Sequence, residues 1–204
     1  MDKIYLFGGW DEFDNERDLC IEFDTKHFTW KHKSEMLETR ENPAACVFEE
    51  KIIVSGGMQY TYDEFVDFVN FYDDENYQTI NKVAAYDPIN DFWTEFPTMN
   101  YSRCLHKSLV VKNKLFVIGG GTDINEVYDS TSKKFTVLKP SLDVLNIREN
   151  YPFAVFKVSL KLFVYFLGSS SIFFFDTKKG KWYKKSIKST KNLPLFSATQ
   201  VPLL

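Results

Sequence analysis

Two short motifs recur four times, in fixed order, along this chain, and they constrain its fold more than any other feature. The first is an apolar run ending in a glycine pair. It reads Lys3-Ile-Tyr-Leu-Phe-Gly8-Gly9, then Lys51-Ile-Ile-Val-Ser-Gly56-Gly57, then Lys114-Leu-Phe-Val-Ile-Gly119-Gly120. A degraded fourth copy, Lys161-Leu-Phe-Val-Tyr-Phe-Leu-Gly168, has lost the pair. The second motif is an aromatic, an Asp, and another aromatic six residues beyond the Asp: Phe23-Asp24 with Trp30, Tyr86-Asp87 with Trp93, Tyr128-Asp129 with Phe135, and Phe175-Asp176 with Trp182. A five-residue apolar run of this kind suits a strand buried on both faces. A glycine pair lets the backbone turn sharply and pass close to a neighbour. Asp at the head of a turn accepts local backbone N–H bonds, and the later aromatic is expected to pack between neighbouring units.

The mean step between the later aromatics, from Trp30 to Trp182, is about 51 residues, close to a repeat period of roughly 50. The pattern resembles the kelch repeat over nearly the whole chain. The resemblance implies an all-β fold, a kelch-type β-propeller of about four blades. Each blade would have four strands: the glycine pair ends the second, the aromatic-Asp ends the third, and the Trp lies on the fourth. Within one domain spanning 1–204, the repeat units fall at about 1–43, 44–101, 102–147 and 148–190, with a final first-type strand at 194–203. Pairing that last strand with residues 3–7 would close a small ring. The alternative is an incomplete arc of a larger propeller.

Three features interrupt or decorate the repeat. Residues 58–80 form an insertion with six acids, no Lys or Arg, four Tyr and three Phe. Long loops with aromatics and uniform charge suit recognition, which singles out Tyr60, Tyr62, Phe65, Asp73 and Asp74; residues 62–71 could form a short helix. Seven lysines lie within 178–191, where they either offer an anion-binding face or protect an outer strand from edge pairing. Arg40, Arg103 and Arg148 each precede the first strand of a unit. In kelch-like proteins, arginines so placed line the mouth of the central cavity, and some contact acidic partner peptides. The resemblance therefore implies partner contact for these three, since guanidinium groups suit carboxylates. A structural role, bonding loop carbonyls, is the alternative.

Charge is divided along the chain. Residues 1–102 hold 8 Lys and Arg against 22 Asp and Glu, whereas residues 103–204 hold 17 against 6. The overall net charge of −3 argues against a nucleic-acid binder. Cys20, Cys46 and Cys104 show no CxxC spacing, so neither a disulfide framework nor a zinc site is expected. Some kelch-type propellers are enzymes, including copper radical oxidases and sugar-acid mutarotases. His27, His32 and His106 are too few and too scattered for a copper site, and His106, in Arg103-Cys-Leu-His106, fits a packing role better. No cofactor or metal is expected. The resemblance is closest to the propeller half of BTB–kelch proteins, implying a non-catalytic substrate-recognition module of cullin ubiquitin ligases. The protein partner would be an acidic peptide or degron. The chain leaves no room for a BTB domain before residue 3, so cullin association is expected only through a missing or separate chain. Actin binding is the rival reading. The N-terminus lacks a signal-peptide core and no stretch suits a bilayer span, so a cytoplasmic location without membrane contact is expected.

Overall fold

The glycine-ended apolar runs and the aromatic-Asp segments form the central strands of three four-stranded antiparallel sheets and the first two strands of a three-stranded one. The computed structural model describes residues 3–9, 12, 17–60, 77–122, 124–138, 153–166 and 171–186, and among these the fold is all strand and turn. The first sheet has three strands in the order β1 (Lys3–Phe7), β2 (Cys20–Asp24), β3 (Thr29–His32). The second has four, β4 (Ala44–Phe48), β5 (Lys51–Ser55), β8 (Val83–Asp87) and β9 (Phe92–Phe96). Between β5 and β8 stands a separate two-stranded hairpin, β6 (Met58–Tyr60) with β7 (Tyr77–Thr79). The third sheet runs β10 (Lys107–Val111), β11 (Lys114–Ile118), β12 (Glu126–Asp129), β13 (Lys134–Val137). The fourth runs β14 (Phe153–Val158), β15 (Lys161–Phe166), β16 (Ser171–Asp176), β17 (Lys181–Ser186). The strand expected at 194–203, which would close a ring, lies outside the described residues.

All four sheets use the same turn between their last two strands. The repeat aspartate accepts bonds from the amides two and three residues on. Asp24 accepts from Lys26 and His27 at 2.8 and 3.0 Å. Asp87 accepts from Ile89 and Asn90 at 2.9 and 3.0 Å. Asp129 takes Thr131 and Ser132, and Asp176 takes Lys178 and Lys179, at 2.9–3.1 Å. The residue four beyond each Asp then adopts a left-handed backbone: Phe28 (φ 55°), Asp91 (57°), Lys133 (54°) and Gly180 (65°). These bonds hold the carboxyls of Asp87, Asp129 and Asp176 below the usual range. For Asp24 the largest cause is the ammonium of Lys3, 2.8 Å away across the β1–β2 ladder.

The chain divides into two compact units, Met1–Leu105 and His106–Leu204. In the first, the core joins Cys20 and Met36 to Ile52, Val54, Ala84, Tyr86 and Trp93, with Tyr5 and Phe7 packed against it. Tyr5 meets Tyr86 edge-on at 6.0 Å, and Phe7 meets Trp93 at 5.6 Å. Polar bonds tie the same two sheets together. Trp93 Nε1 donates to the Ser34 carbonyl at 2.8 Å, while the Ser34 amide and Tyr86 hydroxyl donate to Asp91 Oδ1 at 2.9 and 2.7 Å. The Ser34 amide, then the Tyr86 hydroxyl, hold the Asp91 carboxyl down at about 2. Burial pushes the neighbouring Cys20 thiol up to about 12. In the second unit the core runs from Val111, Phe116, Ile118 and Leu138 to Leu162, Val164, Phe173 and Phe175.

The later aromatics of the motif behave unequally. Trp93 is 8% exposed and Phe135 5%, and Trp182 packs half-buried against the second core, as expected of residues between sheets. Trp30 departs from that expectation. Its ring lies tilted against Phe23, centroids 4.4 Å apart, but it is 58% exposed. Within the first unit, no sheet packs on Trp30 among the described residues as β1 packs on Trp93.

Candidate functional site

The site builds from the second glycine pair outward. Strand β5 ends at Ser55, and Gly57 follows with φ +109°. A side chain there would lie 2.8 Å from the Glu41 carbonyl and 3.2 Å from the Arg40 Cβ. Gly8 faces the same segment from the first sheet, pressed against the Arg40 carbonyl. The chain at Arg40 and Glu41 thus runs tightly past both glycines, and this close approach is what the glycines permit. From Gly57 the chain leaves directly into the β6–β7 hairpin, the stem of the acidic insertion.

That stem is firmly held. The Met58 amide donates to the Glu41 carbonyl at 2.8 Å and the Glu41 amide returns a bond to Met58 at 2.9 Å. Gln59 Nε2 donates to Glu38 Oε2 at 2.8 Å and to the Thr39 carbonyl at 3.0 Å. Glu38 also pairs with Lys82 at 2.8 Å. On the returning strand, the Ile80 amide donates to the Gly57 carbonyl at 3.0 Å, and the Gly57 amide donates to the Arg103 carbonyl at 2.9 Å. Tyr60 and Tyr77 meet edge-to-face at 5.4 Å across the stem. Both are half-buried, while Gln78 and Thr79 are exposed.

The expected arginine mouth is a different structure. Arg40 is 1% exposed and Arg103 0%. The Arg40 guanidinium donates from Nη1 to the carbonyls of Gly56 and Lys82, both at 3.2 Å. Burial lowers its pKa, with Glu38 opposing that shift, yet a guanidinium stays charged. Arg40 is therefore a clasp on the glycine turn, closed off from any partner carboxylate, and Arg103 is equally enclosed. This corrects the expectation that these two side chains sit at an open rim. The acidic-peptide partner loses two of the three anchors on which it was inferred. The physical reason is close packing: carbonyls freed by the glycine turn need donors where water cannot reach. His106, 1% exposed, is packed as expected.

Of the residues singled out for recognition, Tyr60 stands on the anchored stem. Tyr62, Phe65, Asp73, Asp74 and Arg148, and the helix considered at 62–71, lie outside the described residues. The anchors Glu38, Glu41 and Gln59 were not picked out from sequence; the alternation in Met58-Gln59-Tyr60 and Tyr77-Gln78-Thr79 was the available signal for a short hairpin. Lys178, Lys179, Lys181, Lys184 and Lys185 are all exposed, on β17 and the turn before it. Lys184 lies over the Phe173 ring at 5.5 Å and Lys179 over Tyr183 at 5.9 Å. Among the described residues, no three His, Cys, Asp or Glu side chains converge as a metal site requires.

No protein-family model matches the chain. It is similar to Kelch-like protein 38 of Rattus norvegicus, with 30% identity over 158 residues, covering 76% of this chain and 23% of that protein. Kelch-like protein 38 of Homo sapiens matches over the same length at 28% identity. The F-box/kelch-repeat protein SKIP30 of Arabidopsis thaliana is 29% identical over 116 residues, 55% of this chain and 28% of the relative. The chain thus matches less than a third of each of these proteins. Among solved structures, that of YjhT, a kelch-type propeller, superposes with a TM-score of 0.66 at 14% identity, over 94% of this chain and 64% of the other. The fold is of the kelch-propeller type.

Proposed function

We propose, from the premise that this chain is a set of kelch repeats, that it is a non-catalytic protein-interaction module whose recognition element is the insertion at 58–80. One observation carries the choice of surface. The insertion springs from a stem cross-braced to Glu38, Thr39 and Glu41, whereas Arg40 and Arg103, two of the arginines that would otherwise recruit a partner, are buried. An anchored stem lowers the entropy lost when a loop is ordered against a partner. With six acids and no Lys or Arg, the insertion fits a basic protein surface. In this reading the module selects a client, as the resemblance to BTB–kelch adaptors implies. Delivery to a cullin ligase would require a further domain or chain. The proposed location is the cytoplasm.

The test is affinity capture from the source cell followed by mass spectrometry. The intact chain is compared with a variant in which residues 61–76 are replaced by a two-residue Asn-Gly turn, matched to the hairpin. The expected result is loss of the specific partners with unchanged thermal unfolding. An identical partner list from both proteins would refute the assignment. The exposed lysines of β17 favour the second reading, an acidic cytoskeletal partner. Loss of F-actin co-sedimentation on replacing Lys181, Lys184 and Lys185 by Glu would support that reading.

A further inference from the structure

Ser34 is an exposed residue whose polar groups are all engaged by the second sheet. Its amide donates to Asp91 Oδ1 at 2.9 Å, its hydroxyl donates to the Asp91 carbonyl at 2.6 Å, and its carbonyl accepts from Trp93 Nε1 at 2.8 Å. The preceding residue joins the same contact: Lys33 Nζ lies 3.3 Å from Asp91 Oδ2, with a side chain only 7% exposed. Asp91 stands 57 residues further along the chain, so one solvent-facing serine makes a long-range tie between repeats. Beyond Ser34 the chain turns inward at Met36, 5% exposed, whose amide donates to the Asp18 carbonyl at 2.7 Å. It then reaches Glu38, Thr39 and Glu41, the residues that brace the β6–β7 stem. Residues 33–41 are therefore one strap, pinned to the second sheet at Ser34 and to the stem at its other end.

The serine also stands in a setting suited to phosphoryl transfer. It follows Lys31, His32 and Lys33. Lys31 and His32 are exposed at the end of β3, the edge strand of its sheet, so the approach to Ser34 is extended and basic, the complement of an acidic kinase groove. Transfer moves the γ-phosphoryl group of ATP onto Ser34 Oγ. The Oγ–P bond forms, the bond to the departing ADP breaks, and the hydroxyl proton passes to the kinase's catalytic carboxylate. Both differences between the product and serine act on the tie to Asp91. The hydroxyl proton that was donated to the Asp91 carbonyl is gone. In its place stands a group carrying about −1.5 to −2 charge at pH 7, beside that carbonyl and the Asp91 carboxylate, where like charges disrupt. Lys33 supplies the second arrangement. Its ammonium now faces Asp91, and a phosphate on the next residue competes for it through its own charge-assisted bonds. When Lys33 changes partner, Asp91 loses an ion pair as well as a hydrogen bond, and the strap is released from the second sheet.

We propose that Ser34 is a phosphorylation site, and that the modified serine loosens the strap and with it the stem of the insertion. Any effect on partner binding rests on the recognition role given to the insertion; the modification and the loosening do not. The test treats the full chain with ATP and a serine kinase that favours preceding basic residues. Phosphate is mapped by mass spectrometry, and amide exchange is followed with no partner present. Ser34→Glu is measured alongside, with Ser186→Glu as its control, since Ser186 also follows lysines, at the end of β17. The expected result is phosphate on Ser34, absent from that peptide in Ser34→Ala. Exchange at 58–60 and 77–80 is expected to quicken at least about tenfold in the phosphorylated chain and in Ser34→Glu, while Ser186→Glu exchanges as the wild type does. A Ser34 left unmodified by the kinase overturns the proposal. So does a phosphorylated Ser34 whose stem amides exchange at the unmodified rate, a measurement that stands even where Ser34→Glu fails to fold.

Discussion

Replacing Gly57 by Ala should destabilise the first unit by about 2–6 kcal/mol, the sum of backbone strain and steric crowding. Two separate costs meet there. The backbone sits at φ +109°, where an L side chain is strained. The new methyl would also lie 2.8 Å from the Glu41 carbonyl and 3.2 Å from the Arg40 Cβ, and neither atom belongs to a flexible side-chain tip. The segment that must give way carries the Arg40 clasp and the Glu41–Met58 bridge, so the insertion stem would loosen with it. Gly9 provides the comparison. Its φ of +101° is similar, but a methyl there meets nothing within 4 Å. Gly9→Ala should therefore cost only the conformational part, about 1–3 kcal/mol. Denaturant unfolding with a linear fit measures both, and equal losses would show that the close approach at Gly57 does not matter.

Trp93→Ala should cost about 3–5 kcal/mol, whereas Trp30→Ala, at the same motif position, should cost less than about 1 kcal/mol in dilute solution. Trp93 is 8% exposed, packs against Phe7 and Tyr86, and donates to the Ser34 carbonyl at 2.8 Å. Its removal leaves a cavity and an unpaired carbonyl in one step. Trp30, already 58% exposed, loses mainly its tilted contact with Phe23. Melting temperatures of the two variants, taken side by side, decide the matter. Similar losses would mean that Trp30 is packed in solution as Trp93 is.

That contrast marks how far the sequence could be read. The strands were legible because the apolar runs and turn residues recur: residues 3–7, expected as a strand, are β1. The Asp turns were legible for the same reason, since the bonds of Asp24, Asp87, Asp129 and Asp176 are local. What lay beyond a repeat unit was not legible. Trp30 and Trp93 share a motif, and only the neighbouring sheet decides which one is buried. The arginines illustrate the same limit. Their position before a strand is visible in the sequence, but the side to which Arg40 turns is set by the carbonyls of Gly56 and Lys82, contributed from 16 and 42 residues away. The β6–β7 stem, with only three residues per strand, was hidden inside a segment whose composition spoke mainly of charge. The comparisons with Kelch-like protein 38 support the repeat assignment.

The central claim is that partners are recognised through the insertion carried on that stem. It is tested most directly by hydrogen–deuterium exchange of the full chain, free and bound to the strongest partner recovered by affinity capture. The account predicts slowed exchange in the bound state at residues 58–80 and in the adjoining loop at 38–41, with the lysine-bearing strand at 181–186 unchanged. Protection confined to 178–186, with the insertion and its stem exchanging as in the free protein, would contradict it.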